Sequence, residues 1–133
     1  MRQTAVLSML MLFLLCTSAK AEDIIGKWKG KTPEGDVISY EFKKDNSVTW
    51  NLDKKDFPGP VTAHYSVDYS TKPALLDMSE FSIRPLKGIL FVGIVEFLSP
   101  TKMKIDGVQV RASGVDKRPK QFTRRAIEFD KIE

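Results

Sequence analysis

The chain is poor in the residues that build metal and redox sites, and it has no good helix. Its only cysteine is Cys16 and its only histidine is His64. One thiol closes no intrachain disulfide, and one histidine without further cysteines leaves only carboxylates for a zinc shell, so no metal and no cofactor are expected. No stretch repeats apolar residues at the three-and-four spacing of an amphipathic helix. Charge of one sign is scarce too: 21 Lys and Arg stand against 17 Asp and Glu, a net charge of +4. That is mild and does not argue for nucleic acid.

The clearest element present is at the start. Arg2 gives a short positive beginning, residues 5–16 are apolar except for Ser8, and Ala19-Lys20-Ala21 fits the small-x-small rule of signal peptidase. These three parts in order predict a secretory signal peptide over 1–21. The run is shorter than the roughly 20 residues that a membrane span needs. Residues 22–133 then form one domain with a charge of +2 and no cysteine. The expected location is outside the cytoplasm, with a bacterial periplasm the natural setting. No membrane span is expected after removal of the leader. Without disulfides the domain must hold itself by its core.

That core centres on residues 86–105. The run Ile89-Leu90-Phe91-Val92-Gly93-Ile94-Val95-Glu96-Phe97-Leu98 is rich in β-branched and aromatic residues, and Ser99-Pro100 turns the chain before Met103-Lys104-Ile105. A β-hairpin with a long first strand is expected. Ile89, Phe91, Val95 and Phe97 share one side; Leu90, Val92, Ile94 and Leu98 share the other. A strand with one wet face does not look like this, so both faces should be covered.

Elsewhere the alternation is cleaner. Trp28 alternates with lysines after Gly26; Ile38, Tyr40 and Phe42 mark a second strand; Val48, Trp50 and Leu52 a third; Val61, Ala63, Tyr65, Val67 and Tyr69 a fourth. A shorter fifth is expected over 74–81 and a last strand over 122–132, while 107–118 reads as loop with an edge at Val108 and Val110. Phe57-Pro58-Gly59-Pro60 cannot be a central strand. About eight strands at hairpin spacing predict an all-β sandwich or an up-and-down barrel, and a barrel removes exposed edges.

Four segments resemble known families. Gly26-Lys27-Trp28 is similar to the Gly-x-Trp signature of lipocalins. Asp68-Tyr69-Ser70-Thr71-Lys72-Pro73-Ala74-Leu75-Leu76-Asp77, then Lys87-Gly88-Ile89, then Arg118-Pro119-Lys120-Gln121-Phe122 resemble, in order, a small and largely uncharacterised lipocalin-like domain family. The resemblance implies an eight-stranded antiparallel barrel, lipocalin-like, in which Trp28 closes one end under a basic residue of the last strand, either Arg124 or Arg125. For function it implies less: lipocalins mostly carry small apolar molecules, and the activity of the small family is not established.

The inward set would include Tyr40, Phe42, Trp50, Tyr65, Phe91, Phe97 and Phe129, as ligand contacts or as filling. Gly26 and Trp28 are assigned a structural role, as are Asp68, Lys72, Pro73 and Asp77, where Pro73 fixes a corner and Lys72 bridges the carboxylates. His64 shares a strand face with Ser66 and Asp68, but on the wet side, and no enzyme constellation is assembled. Two functions follow: a small apolar ligand held inside the barrel, or a protein-interaction module or enzyme inhibitor that uses the outer surface. The outer row Leu90, Val92, Ile94 and Leu98 would be covered by residues 54–60 or, with slight preference, by a partner or a second copy.

Overall fold

The computed structural model describes residues 23–133; the expected leader, with Cys16, lies outside the described residues. Eight antiparallel strands form a closed up-and-down barrel. They are β1 (Gly26–Lys31), β2 (Val37–Phe42), β3 (Ser47–Asp53), β4 (Val61–Asp68), β5 (Ala74–Ser79), β6 (Leu90–Ser99), β7 (Lys102–Val110) and β8 (Ile127–Lys131). Closure is a short ladder in which Trp28 faces Lys131 and Gly30 faces Phe129. Backbone bonds from Ile132 to Lys27 (2.8 Å) and from Lys27 to Glu133 (2.9 Å) extend it. With every strand paired on both sides, no unpaired edge is left to template aggregation.

The alternation of the sequence sets which side chains point inward. Trp28, Phe42, Val48, Leu76, Met78, Val95, Met103 and Phe129 are all at most 2% exposed. Around them pack Tyr40, Trp50, Phe91 and Phe97. The central hairpin is as expected, with Val95 opposite Ile105 and Phe97 opposite Met103.

Two strand ends differ from the sequence reading. β7 continues through Gly107 to Val110, because Gly107 faces Gly93 across the ladder and the Phe91 ring lies over both. A Cβ on Gly93 would sit 2.6 Å from the Asp106 carbonyl oxygen and 2.7 Å from the Phe91 ring, and one on Gly107 would collide with the same ring. These glycines belong to the strands as seats for an aromatic, a close-approach role, and do not mark a loop. β8 begins at Ile127 and not near Phe122, because the Thr123 amide is bonded to Asp106 at 2.6 Å instead of entering the ladder.

The connection between β7 and β8, residues 111–126, crosses the outer wall. Its first part, Ala112–Lys117, forms short 3-10 turns that pack on β6 and β7. This strap covers the middle of the outer apolar row: Val92 and Ile94 are each 2% exposed. The cover is therefore the chain's own 111–126 segment, and neither residues 54–60 nor a partner is needed over them. Leu90 at the row's start is half-buried, and Leu98 at its end is 46% exposed.

Candidate functional site

The interior aromatics form a packed stack. Tyr40 lies 5.3 Å from both Phe42 and Phe129, and Phe42 meets Tyr65 edge-on at 4.9 Å. Trp50 stacks on Phe57 at 5.0 Å, which brings the 54–60 loop over that end of the barrel, and Phe97 stacks on Tyr69 at 6.1 Å. The Tyr65 hydroxyl donates to the Lys43 carbonyl at 2.8 Å. Burial pushes the Tyr40 phenol above its ordinary value, with no charge involved. Two pockets reach these rings: one of about 80 Å³ beside Tyr40, Phe91 and Phe129, and one of about 210 Å³ beside Trp28, Tyr40 and Trp50. Both are below the roughly 300–1,000 Å³ of small-molecule sites. The predicted interior residues are thus brought together, as a core.

Trp28 lies across the β1–β2 ladder from Tyr40. Its ring is fully buried, and its Nε1 donates to the Ile24 carbonyl at 2.8 Å. The cation above it is Lys131, with Nζ 5.4 Å from the ring centroid. Arg124 and Arg125 precede β8 and are exposed, so neither takes the expected place. The reason is register: Lys131 is the direct cross-strand neighbour of Trp28. Gly26 opens β1 opposite Phe42.

The expected corner cluster is divided. Asp68 is held within its own turn by the Ser70 amide (2.9 Å) and hydroxyl (2.6 Å), which lower its carboxyl from the ordinary value. Asp77, the fourth residue of β5, pairs instead with Arg118, whose Nη2 lies 2.6 Å from Oδ1. Lys72 is exposed beside the cis peptide that joins it to Pro73. His64 lies exposed on β4 opposite Ser47 and Ser79. Among the described residues no group of three or more His, Cys, Asp and Glu could hold a metal.

Two of the segments that carried the resemblance now meet on the outer wall. Arg118, from Arg118-Pro119, reaches across β5 and β6, donating to the Gly93 carbonyl at 2.9 Å and the Leu76 carbonyl at 3.4 Å besides pairing with Asp77. Its guanidinium uses its rigid fork to clamp strand backbone, which a lysine could not reproduce. A second clamp lies further along. The Thr123 amide and hydroxyl both donate to Asp106 Oδ2, at 2.6 and 2.8 Å, and Asp106 is 2% exposed. Sequence reasoning missed Asp106. The available signal was a carboxylate on the outer side of β7 opposite Ile94, where an apolar partner was called for.

Between the clamped strap and the β4–β5 turn runs a groove of about 350 Å³, with Leu75 and Ile94 below and Pro73, Val115 and Pro119 beside them. Asp116 and Lys120 also line it. The strap is strongly charged: residues 111–125 hold six basic side chains against one acid, while the other described residues hold 13 basic against 15 acidic. The positive charge of the domain is concentrated on this one crossing. No helix among the described residues is long and apolar enough to cross a membrane. No model of a known protein family, no curated protein and no solved structure matches the chain.

Proposed function

We propose that this protein is a non-enzymatic binding protein that works through its outer wall and not through the barrel interior. The observation that carries this reading is the filled interior: Tyr40, Phe42, Tyr65 and Phe129 touch one another where a carrier would hold its ligand. Against it stands a rigid basic strap, clamped at Arg118 and Thr123, with an apolar groove at its side. Interfaces of this kind combine an apolar centre with a polar rim. The lipocalin-like resemblance supports the binding class, while the packing argues against its usual site.

The protein is further proposed to act outside the cytoplasm, on the strength of the leader pattern in residues 1–21. Intact mass after expression in a secreting host tests this; the expected chain begins at Glu22. For the binding mode, native mass spectrometry of protein purified without detergent should return the bare mass. A stoichiometric apolar adduct that survives, and that shifts the aromatic proton signals of Phe42 and Phe129, would return the site to the interior and overturn the outer-wall reading.

A further inference from the structure

The groove beside the strap combines three features that together select a ligand class. Its floor and sides are apolar: Leu75, Ile94, Pro73, Pro119 and Val115, the last 49% exposed. Two of its four polar side chains are already engaged. The Arg118 guanidinium is taken up by Asp77 and two strand carbonyls, and the Thr71 hydroxyl donates to the Pro73 carbonyl at 3.0 Å. Along the apolar floor a peptide would leave amides without protein partners, which costs free energy; a hydrocarbon chain has none to satisfy. Its volume of about 350 Å³ falls at the lower end of the roughly 300–1,000 Å³ range of small-molecule sites. The third feature is charge, since the strap carries a large excess of basic residues on a barrel that is otherwise slightly acidic. Such asymmetry steers anions to this face.

We propose that the groove binds a single-chain anionic amphiphile, with the alkyl chain along Leu75, Val115 and Pro119 and the carboxylate or phosphate head at Lys120. This rests on the outer-wall reading and gives it a ligand. Asp116 sets the direction, because the head is repelled from the part of the lining it occupies and drawn to Lys120. The clamp through Arg118 holds the lining in place before the ligand arrives, so little ordering accompanies binding.

The test is a titration of ¹⁵N-labelled protein with decanoate and with decyl phosphate, each below its micelle concentration. Saturable amide shifts are expected at Leu75, Ile94, Val115 and Lys120, and the tighter of the two probes identifies the head. Val115→Glu and Lys120→Glu alter exposed side chains and should leave the fold intact while weakening binding at least tenfold. Uncharged decyl maltoside, with the same chain length, should bind at least tenfold more weakly than decyl phosphate. The proposal is overturned if no saturable shift appears, if both variants bind as the parent does, or if inorganic phosphate alone produces the same shifts with the same affinity. Binding to phosphatidylglycerol vesicles without any response to the monomeric probes assigns the face to a lipid surface; it overturns the groove and leaves the outer-wall reading standing. Shifts confined to Trp50, Phe91 and Ile127 place the ligand inside the barrel and overturn both.

Discussion

The outer face of β1–β3 and the outer face of β5–β7 belong to the same barrel and are built on opposite terms. The first carries Lys27, Lys29, Ser39, Glu41, Thr49 and Asn51, all wet or partly so. The second carries Leu75, Asp77, Val92, Ile94, Asp106 and Val108 and wears the strap. On the bare wall each strand has one apolar face and the barrel core is the only thing to bury. On the strapped wall a second apolar layer lies outside the sheet; full burial of Val92 and Ile94 contributes roughly 1.5–3 kcal/mol each. The strap brings few large apolar residues of its own and is fastened largely through polar anchors, Arg118 to carbonyls and Asp106 to Thr123. A barrel therefore needs only one face of its sheet to fold, and what it does with the other face is free for function.

The comparison breaks most visibly if a charge is placed on each wall. Ile94→Lys should cost roughly 1.5–3 kcal/mol, because the apolar burial is lost and the ammonium is desolvated, with the Asp106 carboxylate opposite offsetting part of that, while Thr49→Lys on the bare wall should stay within about 0.5 kcal/mol. Urea midpoints with sedimentation on both variants decide it. If Ile94→Lys keeps its midpoint and changes only the oligomer mass, the row is an interface between copies after all.

A smaller effect tests the clamp at Asp106. Asp106→Ala removes an acceptor of two bonds and should cost about 1–3 kcal/mol. Hydrogen exchange should rise at Thr123 and along the strap with β1–β3 unchanged; faster exchange spread evenly round the barrel would mean that the two walls are not separable. Asp77→Asn should cost about 1 kcal/mol or less, since half of that side chain is already exposed and half-exposed pairs are weak. Asp77→Asn should also leave Arg118 on the Gly93 carbonyl, which the Gly93 carbonyl carbon shift reports.

The smallest effect should be alike on both walls. Asp45 in the β2–β3 turn and Asp68 in the β4–β5 turn are exposed, and hydrogen bonds from Ser47 and Ser70 hold their carboxyls below the ordinary value. A lowered folded value means a contribution present above the unfolded value and lost as pH falls through the folded one. Carboxyl carbon titrations should show both groups ionising early, and Ser47→Ala and Ser70→Ala should move them back up. A return in only one of the two would separate turns that the geometry makes equivalent.

What could be read in advance follows from the same contrast. Strict alternation named the inward residues of β1–β4 correctly, since period two is all that a one-sided strand encodes. For β6 the two-sided apolar pattern announced a second cover but not its source. The cover comes from residues 112–123, whose irregular backbone has no period and whose decisive contacts, Arg118 to carbonyls, leave no hydrophobic trace. The Trp28 partner was misplaced for a related reason. The register of the β1–β8 ladder, which no periodicity encodes, puts Lys131 over the ring in place of Arg124 or Arg125.

The seat of Phe91 on Gly93 and Gly107 has a consequence for how this barrel can vary. Three positions on two strands share one volume, so none of them can change size independently. Gly107→Ala alone should be poorly tolerated, whereas Gly107→Ala with Phe91→Leu should recover part of the loss, a non-additive pairing of contacting sites. A lineage of such barrels would then change Phe91 and Gly107 together and keep Gly93, whose Cβ would also meet the Asp106 carbonyl oxygen at 2.6 Å.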